Sequence, residues 1–153
     1  MLKIGEKYLF QDSWEGRRSC LMFFKEDDCM SWSVDIGFTS GDLNGEEIAP
    51  SLCINSIDTD KNSVEELTGE TFSVTTIEES ADREDAFYIY EWEPMVSYDL
   101  EVVEIIDSKA HVRCKGVLIL DGYTNPYIEE KFEIDSWIPV IESVIDWEKF
   151  ETH

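Results

Sequence analysis

One stretch of the sequence joins residue types that could form a binding site. It begins with an acidic run and continues directly into an aromatic run; the members are Glu78, Glu79, Asp82, Glu84 and Asp85, then Tyr88, Tyr90 and Trp92. Aromatic side chains anchor interfaces because they bury a large area, and carboxylates orient a cationic partner. The stretch predicts a protein-binding surface. The alternative is that both aromatic faces are buried, since aromatic residues also favour strands.

A second stretch has oxygen ligands at alternate positions, as the first half of an EF-hand calcium loop does. Its candidate ligands are Asp58, Asp60 and Asn62. The stretch then departs from that pattern, because Ser63 replaces the turn glycine and Gly69 stands where the bidentate glutamate belongs. The interpretation favoured instead is a turn that leads into a capped helix. We therefore predict no metal site.

Other catalytic chemistry has little support in the residue types. The chain has two histidines, His111 and His153, too few for a multi-histidine metal site. We expect His111 to be exposed on the polar face of a strand. Nucleotide-binding, hydrolase and metalloprotease signatures are absent, and carboxylate pairs arise by chance in so acidic a chain. We predict neither a cofactor nor an enzymatic activity.

The charge of the chain restricts its partners. Thirty-five acidic residues against twelve basic ones give a net charge of −23. Nucleic acids and anionic membranes are disfavoured as ligands because both bind through concentrated Lys and Arg. A cationic protein partner is favoured, since the field accelerates its encounter. Solubility, or a salty habitat, is the alternative explanation.

The elements that must position these residues are mainly strands. The clearest pattern runs from Tyr98 to Ile138 and predicts three consecutive strands joined by two turns, with period-2 alternation of apolar and polar residues. Further predictions are a strand from Ile4 to Trp14, a polar loop from Thr39 to Glu47 and a short helix after Ser63. The acidic run is predicted as a loop, and the aromatic run as one strand.

After Ile138 the pattern changes. Pro139 is predicted to begin a C-terminal amphipathic helix, with a last strand as the alternative. The fold class expected is mainly β, an antiparallel sheet or sandwich of about eight or nine strands with one or two short helices.

Length and composition indicate a single domain that spans residues 1–153. No signal peptide or membrane span is predicted. Four cysteines without a CxxC pair predict reduced core residues of a cytoplasmic protein.

In size, acidity and β-rich pattern the chain resembles the immunity proteins of bacterial polymorphic and contact-dependent toxin systems. The resemblance is one of overall profile, and no functional residue is carried over from it. It implies a non-catalytic inhibitor that covers the active site of one cationic toxin, for example a nuclease.

Two other functions stay open at this level. One is a small-ligand or carbohydrate-binding module, or a carboxylate-based hydrolase, in which Trp92 and Trp137 could stack on sugar rings. It requires a concave aromatic pocket. The other is a structural subunit that pairs through an exposed sheet edge.

Overall fold

A computed structural model describes residues 1–13, 19–123 and 125–142. Within them the chain is strand-rich, which confirms the fold class. The elements are β1 (Leu2–Ile4), β2 (Tyr8–Phe10), β3 (Cys20–Glu26), β4 (Cys29–Gly37), β5 (Gly41–Leu43), β6 (Glu46–Ile48), β7 (Ser51–Thr59), a 3-10 helix (Val64–Leu67), β8 (Thr71–Val74), α1 (Ile77–Arg83), β9 (Ala86–Tyr88), β10 (Trp92–Glu93), β11 (Ser97–Ile106), β12 (Lys109–Asp121) and β13 (Ile128–Ile141).

In the described part of the chain, eleven strands form one sheet, whose main path runs β10-β9-β7-β4-β3-β13-β12-β11-β8. β1 pairs with β13 and with β2, and β5 and β6 form a separate hairpin. Every strand pair is antiparallel except β13 with β3, which is parallel. The strand count exceeds the expected one because several elements are only two or three residues long.

The predicted meander of three strands is confirmed as β11, β12 and β13. Apolar positions of one face are buried in all three strands; they include Leu100, Val102, Val112, Cys114, Phe132, Ile134 and Ile138. These residues join one hydrophobic core that also takes in β4, β7 and β9. The period-2 pattern predicted this face because the burial of a sheet on one side imposes that alternation.

Close approach of β11 and β12 requires a glycine at position 116. A Cβ atom there would lie 2.1 Å from the carbonyl oxygen of Ser97. Any side chain would therefore push the two strands apart. Gly116 therefore allows the two backbones to approach each other closely at this point.

The two ends of the long sheet meet across the core. Asp85, which precedes β9, accepts a hydrogen bond of 2.5 Å from the hydroxyl of Tyr98 on β11. The guanidinium of Arg83 lies 4.6 Å from the ring centre of Phe72 on β8. We call these contacts the seam, because they join the β7–β9 end of the sheet to its β8–β11 end.

Some predicted elements are wrong. The predicted first strand is a hairpin of β1 and β2, and the predicted polar loop from Thr39 to Glu47 contains most of the β5–β6 hairpin, whose turn is Asn44 and Gly45 at positive φ. The short helix after Ser63 is confirmed as the 3-10 helix, but the side chain of Ser63 makes no capping hydrogen bond to it.

The predicted helix at Pro139 is also wrong, since β13 continues through Ile141. The amide of Val140 points towards β12 and donates to the carbonyl oxygen of Ser108. Successive backbone amides of a strand point in opposite directions, so an amide at position 139 would point away from β12, towards β3. On that side, pairing with β3 begins only at Val140. The missing N–H of Pro139 therefore costs no ladder hydrogen bond. The rest of that predicted helix, residues 143–150, lies outside the described residues.

Candidate functional site

The acidic run is an α-helix and not the predicted loop. The helix α1 begins after Thr76, whose side chain accepts a 3.1 Å hydrogen bond from the amide of Glu79. Glu78 and Glu79 lie in the first turn, where the helix dipole favours negative charge. Glu84 ends the helix in the left-handed conformation.

Four of the predicted acidic residues form an exposed surface on this helix and its cap. They are Glu78, Glu79, Asp82 and Glu84, and we call them the acidic helix face. Carboxylates in this position remain hydrated and free to attract a cationic partner over a distance of about 10 Å at moderate salt. Their geometry fits the predicted steering role.

Asp85 does not belong to that surface, because its side chain is fully buried. It accepts hydrogen bonds of 2.8 Å from the amide of Asn55 and from Nε of Arg83, and a third from the hydroxyl of Tyr98. Arg83 in turn donates to the carbonyl oxygens of Asn55 and Ser56 on β7. Asp85 is therefore a structural residue of the seam.

The aromatic run is a hairpin and not the single predicted strand. Tyr88 on β9 pairs directly with Trp92 on β10, and their ring centres lie 5.4 Å apart. Trp92 is 54% exposed. Tyr90, at the hairpin turn, instead packs against the hydrophobic core. The structure thus brings two of the three predicted aromatic residues together at the surface.

Three residues that the sequence did not indicate lie beside this pair. Glu91 and Glu93 flank Trp92 in the chain, and the hydroxyl of Tyr123, from the loop after β12, donates to Glu91 at 2.8 Å. Tyr123 is 75% exposed. We call Tyr88, Glu91, Trp92, Glu93 and Tyr123 the aromatic hairpin surface. Tyr123 could not be assigned to it from sequence, because the contact spans 32 residues.

The two glutamates of this surface form a hydrogen-bonded pair. The hydrogen bond with Glu91, and then burial, raise the pKa of Glu93 to about 7. The same hydrogen bond, with that from Tyr123, lowers the pKa of Glu91. The pair therefore shares one proton below neutral pH and carries two charges above it.

This pair predicts a pH-dependent stability. Because folding raises the pKa of Glu93, the folded state holds a proton that the unfolded chain releases, so stability is lost as pH rises towards about 7. Glutamine cannot ionise, so Glu93→Gln should stabilise the protein at pH 8 and have little effect at pH 5. With solvent screening included, we expect the difference in Tm between variant and wild type to be about 2–4 °C larger at pH 8 than at pH 5. Differential scanning calorimetry at the two pH values measures this.

Glu129→Gln, the same chemical change at an exposed position of β13, is the matched control. An equal pH-dependent difference in the two variants would show that the Glu91–Glu93 pair is not its source.

The space around Glu93 has no room for a substrate. The depression lined by Ile89, Tyr90, Glu93, Ile119 and Tyr123 has no volume for a water molecule. A carboxylic acid of raised pKa is present, but the aromatic pocket that a hydrolase needs does not accompany it. The geometry gives the hydrolase hypothesis no site at Glu93.

A larger groove lies elsewhere, on the outer face of β8, β11, β12, β13 and β1. Its volume is about 760 Å³. Its charged lining residues are Lys3, Asp99, Glu101, Arg113, Lys115, Glu133 and Asp135. No aromatic side chain is among its lining residues.

The candidate calcium ligands do not come together. Asp58 is the second-last residue of β7 and accepts a 3.0 Å hydrogen bond from Ser31 on β4, whereas Asp60 lies past the end of β7 with Lys61 4.0 Å away. Across the ranges 1–13, 19–123 and 125–142, no group of three or more acidic, histidine or cysteine side chains could hold a metal ion.

The cysteines are all free, but they are not all core residues. Cys20 and Cys114 are buried, Cys53 is partly buried and Cys29 is exposed, so the core prediction is wrong for Cys29. Burial raises the pKa of Cys20 and Cys53 to about 12, which leaves both as unreactive thiols.

His111 is largely covered and not exposed as predicted, since its side chain is only 14% accessible. Its Nε2 atom lies 2.6 Å from Asp135 Oδ1, and its ring stacks on Trp137 with centres 4.8 Å apart. Both partners come from β13, the neighbour of β12. Cross-strand neighbours of this kind depend on register, which alternation alone does not give.

No protein-family model, curated protein or solved structure matches this chain. No described helix is long and apolar enough to cross a membrane. Fold and site together define a strand-rich domain with an acidic helix face and an exposed aromatic hairpin.

Proposed function

We propose that this protein is a non-catalytic, acidic inhibitor of the immunity-protein type, which binds a cationic toxin domain and covers its active site. The observation that carries the proposal is the aromatic hairpin surface. There Trp92 and Tyr123 are more than half exposed, on a chain whose net charge is −23. Large exposed aromatic side chains among carboxylates are typical of an interface centre with a charged rim.

The charge distribution supports a cationic occupant. Glu91 and Glu93 flank Trp92, and the acidic helix face adds four carboxylates. The basic residue of α1, Arg83, is paired with Asp85 in the seam. Like charges repel an anionic partner and accelerate the encounter with a cationic one.

A nuclease toxin fits this surface best. The active-site groove of a nuclease must bind phosphates, so it concentrates Lys and Arg. Carboxylates of the inhibitor can occupy the positions that phosphates would take, and Trp92 supplies the packed contact that charge alone lacks. Neither a nucleic acid nor an anionic membrane is a direct partner in this proposal. The encounter takes place in the cytoplasm, where free cysteines stay reduced.

The proposal is tested by affinity capture with the tagged protein from cells that express it, washed at low and then at high salt. We expect one basic protein, retained in near-equal amount, whose activity on DNA or RNA is abolished by the tagged protein. Retention at high salt indicates a packed contact in addition to charge. Capture of many basic proteins that all wash off together would contradict the proposal.

Charge reversal on the acidic helix face should slow association. In the triple variant Glu78→Lys, Glu79→Lys and Asp82→Lys, we expect the association rate constant for that partner to fall about tenfold or more at low salt, with a smaller effect at high salt. Biolayer interferometry over a salt series measures both rate constants.

The matched control reverses three acidic residues at the exposed β3–β4 turn, Glu26, Asp27 and Asp28. It has the same net charge as the helix variant. If both variants slow association equally, only net charge acts and the acidic helix face has no special role.

A further inference from the structure

The outer-face groove has an ordered arrangement of charged side chains. Strand register places Asp99, Lys115, Glu133 and Lys3 in one row across β11, β12, β13 and β1. The next row contains Glu101, Arg113 and Asp135. Donors and acceptors therefore alternate across the strands, at a spacing of about 4.5–5.5 Å.

The groove is nearly neutral, unlike the chain as a whole. Three basic and four acidic side chains line it, against twelve and thirty-five in the sequence. An anionic polymer would be repelled by the four carboxylates, and a polycation would be repelled by Lys3, Arg113 and Lys115. An uncharged ligand is repelled by neither group. If it carries many hydroxyl groups, each of them can donate a hydrogen bond to a carboxylate or accept one from a basic side chain.

The lining groups keep hydrogen-bonding capacity for such a ligand. Arg113 donates through Nε to Asp135 at 3.1 Å, yet the two side chains remain 57% and 56% exposed. The other carboxylate oxygen of Asp135 lies 2.6 Å from Nε2 of His111. A guanidinium has five N–H donors and a carboxylate about four acceptor positions, so Arg113 keeps most of its donors for a ligand and Asp135 keeps about half of its acceptor positions.

An aromatic surface lies one row beyond the groove. Trp137 pairs with His111 on β12. It lies two residues after Asp135 on β13, so the two positions are about 7 Å apart along the strand. The His111 ring stacks on Trp137 and is held by Asp135, and the indole remains 38% exposed. A fixed, partly exposed indole provides the flat apolar area on which the C–H face of a sugar ring can pack.

We propose that this groove binds a neutral oligosaccharide, whose hydroxyl groups bond to the charged rows and one of whose rings packs on Trp137. A volume of about 760 Å³ lies within the range of small-molecule sites. The site is separate from the aromatic hairpin surface, and the inference does not depend on the inhibitor function.

The test is binding of the fluorescently labelled full chain to an array of neutral, sialylated and sulfated glycans. One retained neutral glycan is then titrated by calorimetry, with the indole N–H resonance of Trp137 followed by NMR and assigned through Trp137→Phe. We expect neutral glycans to be retained and the Trp137 resonance to shift. Trp137→Ala and Arg113→Met should each weaken binding at least tenfold.

Lys25→Met removes an exposed cation outside the groove and should leave the affinity unchanged. Circular dichroism checks that each variant folds, and Arg113→Met keeps the test decisive if Trp137→Ala does not fold. Retention of charged glycans alone, of no glycan, or of a neutral glycan bound equally by wild type and both groove variants overturns the inference.

Discussion

Asp85→Ala is expected to lower the free energy of unfolding by about 3–5 kcal/mol and Tm by roughly 10 °C. Asp85 is fully buried and accepts three hydrogen bonds, from Asn55, Arg83 and Tyr98. Its removal leaves the Arg83 guanidinium without its carboxylate and the buried Tyr98 hydroxyl without an acceptor. Breaking a buried pair costs more than the pair contributes, because the remaining group keeps its desolvation penalty. Urea unfolding followed by tryptophan fluorescence measures the change.

The matched control for this prediction is Asp82→Ala, three residues earlier and exposed on α1. We expect a change within about 0.5 kcal/mol there. Tyr98→Phe deletes one of the three donors and should fall between the two, at about 1–2 kcal/mol. Equal stability of the Asp82 and Asp85 variants would mean that the seam does not hold the ends of the sheet together.

The seam also shows where sequence reasoning fails. An aspartate in an acidic run is expected at the surface, because isolated carboxylates are costly to bury. Asp85 is buried because its partners arrive from elsewhere in the chain: Asn55 on β7, 30 residues before it, and Tyr98 on β11, 13 residues after it. Contacts between residues so far apart in the chain leave no local sequence pattern.

The helix α1, in contrast, has a local signal. Thr76 followed three residues later by Glu79 has the spacing of a capping box, and Thr76 does cap the helix. The density of carboxylates favoured a loop prediction over this signal. The meander was predictable because alternation over long strands leaves a repeated pattern, whereas strands as short as β9 and β10 leave almost none.

The second large effect is expected at Trp92. Trp92→Ala should weaken binding of the captured partner by about 2–4 kcal/mol, at least thirtyfold in Kd. Trp92 is 54% exposed, packs against the Tyr88 ring at a tilt of 60° and lies between two glutamates in the chain, which is the setting of an interface hot spot. The loss should appear mainly as faster dissociation, since packed contacts act after encounter. Calorimetry gives the affinity and biolayer interferometry the rate constants.

Ile106→Ala is the matched control, because Ile106 is 50% exposed and lies at the opposite end of β12 from Tyr123, about 40 Å away along the strand. It should leave affinity unchanged. The Trp92 and helix variants then separate two contributions: charge reversal on α1 slows association, and loss of the indole speeds dissociation. If Trp92→Ala behaves like Ile106→Ala while the helix variant still slows association, the partner is attracted by charge but docks on another surface.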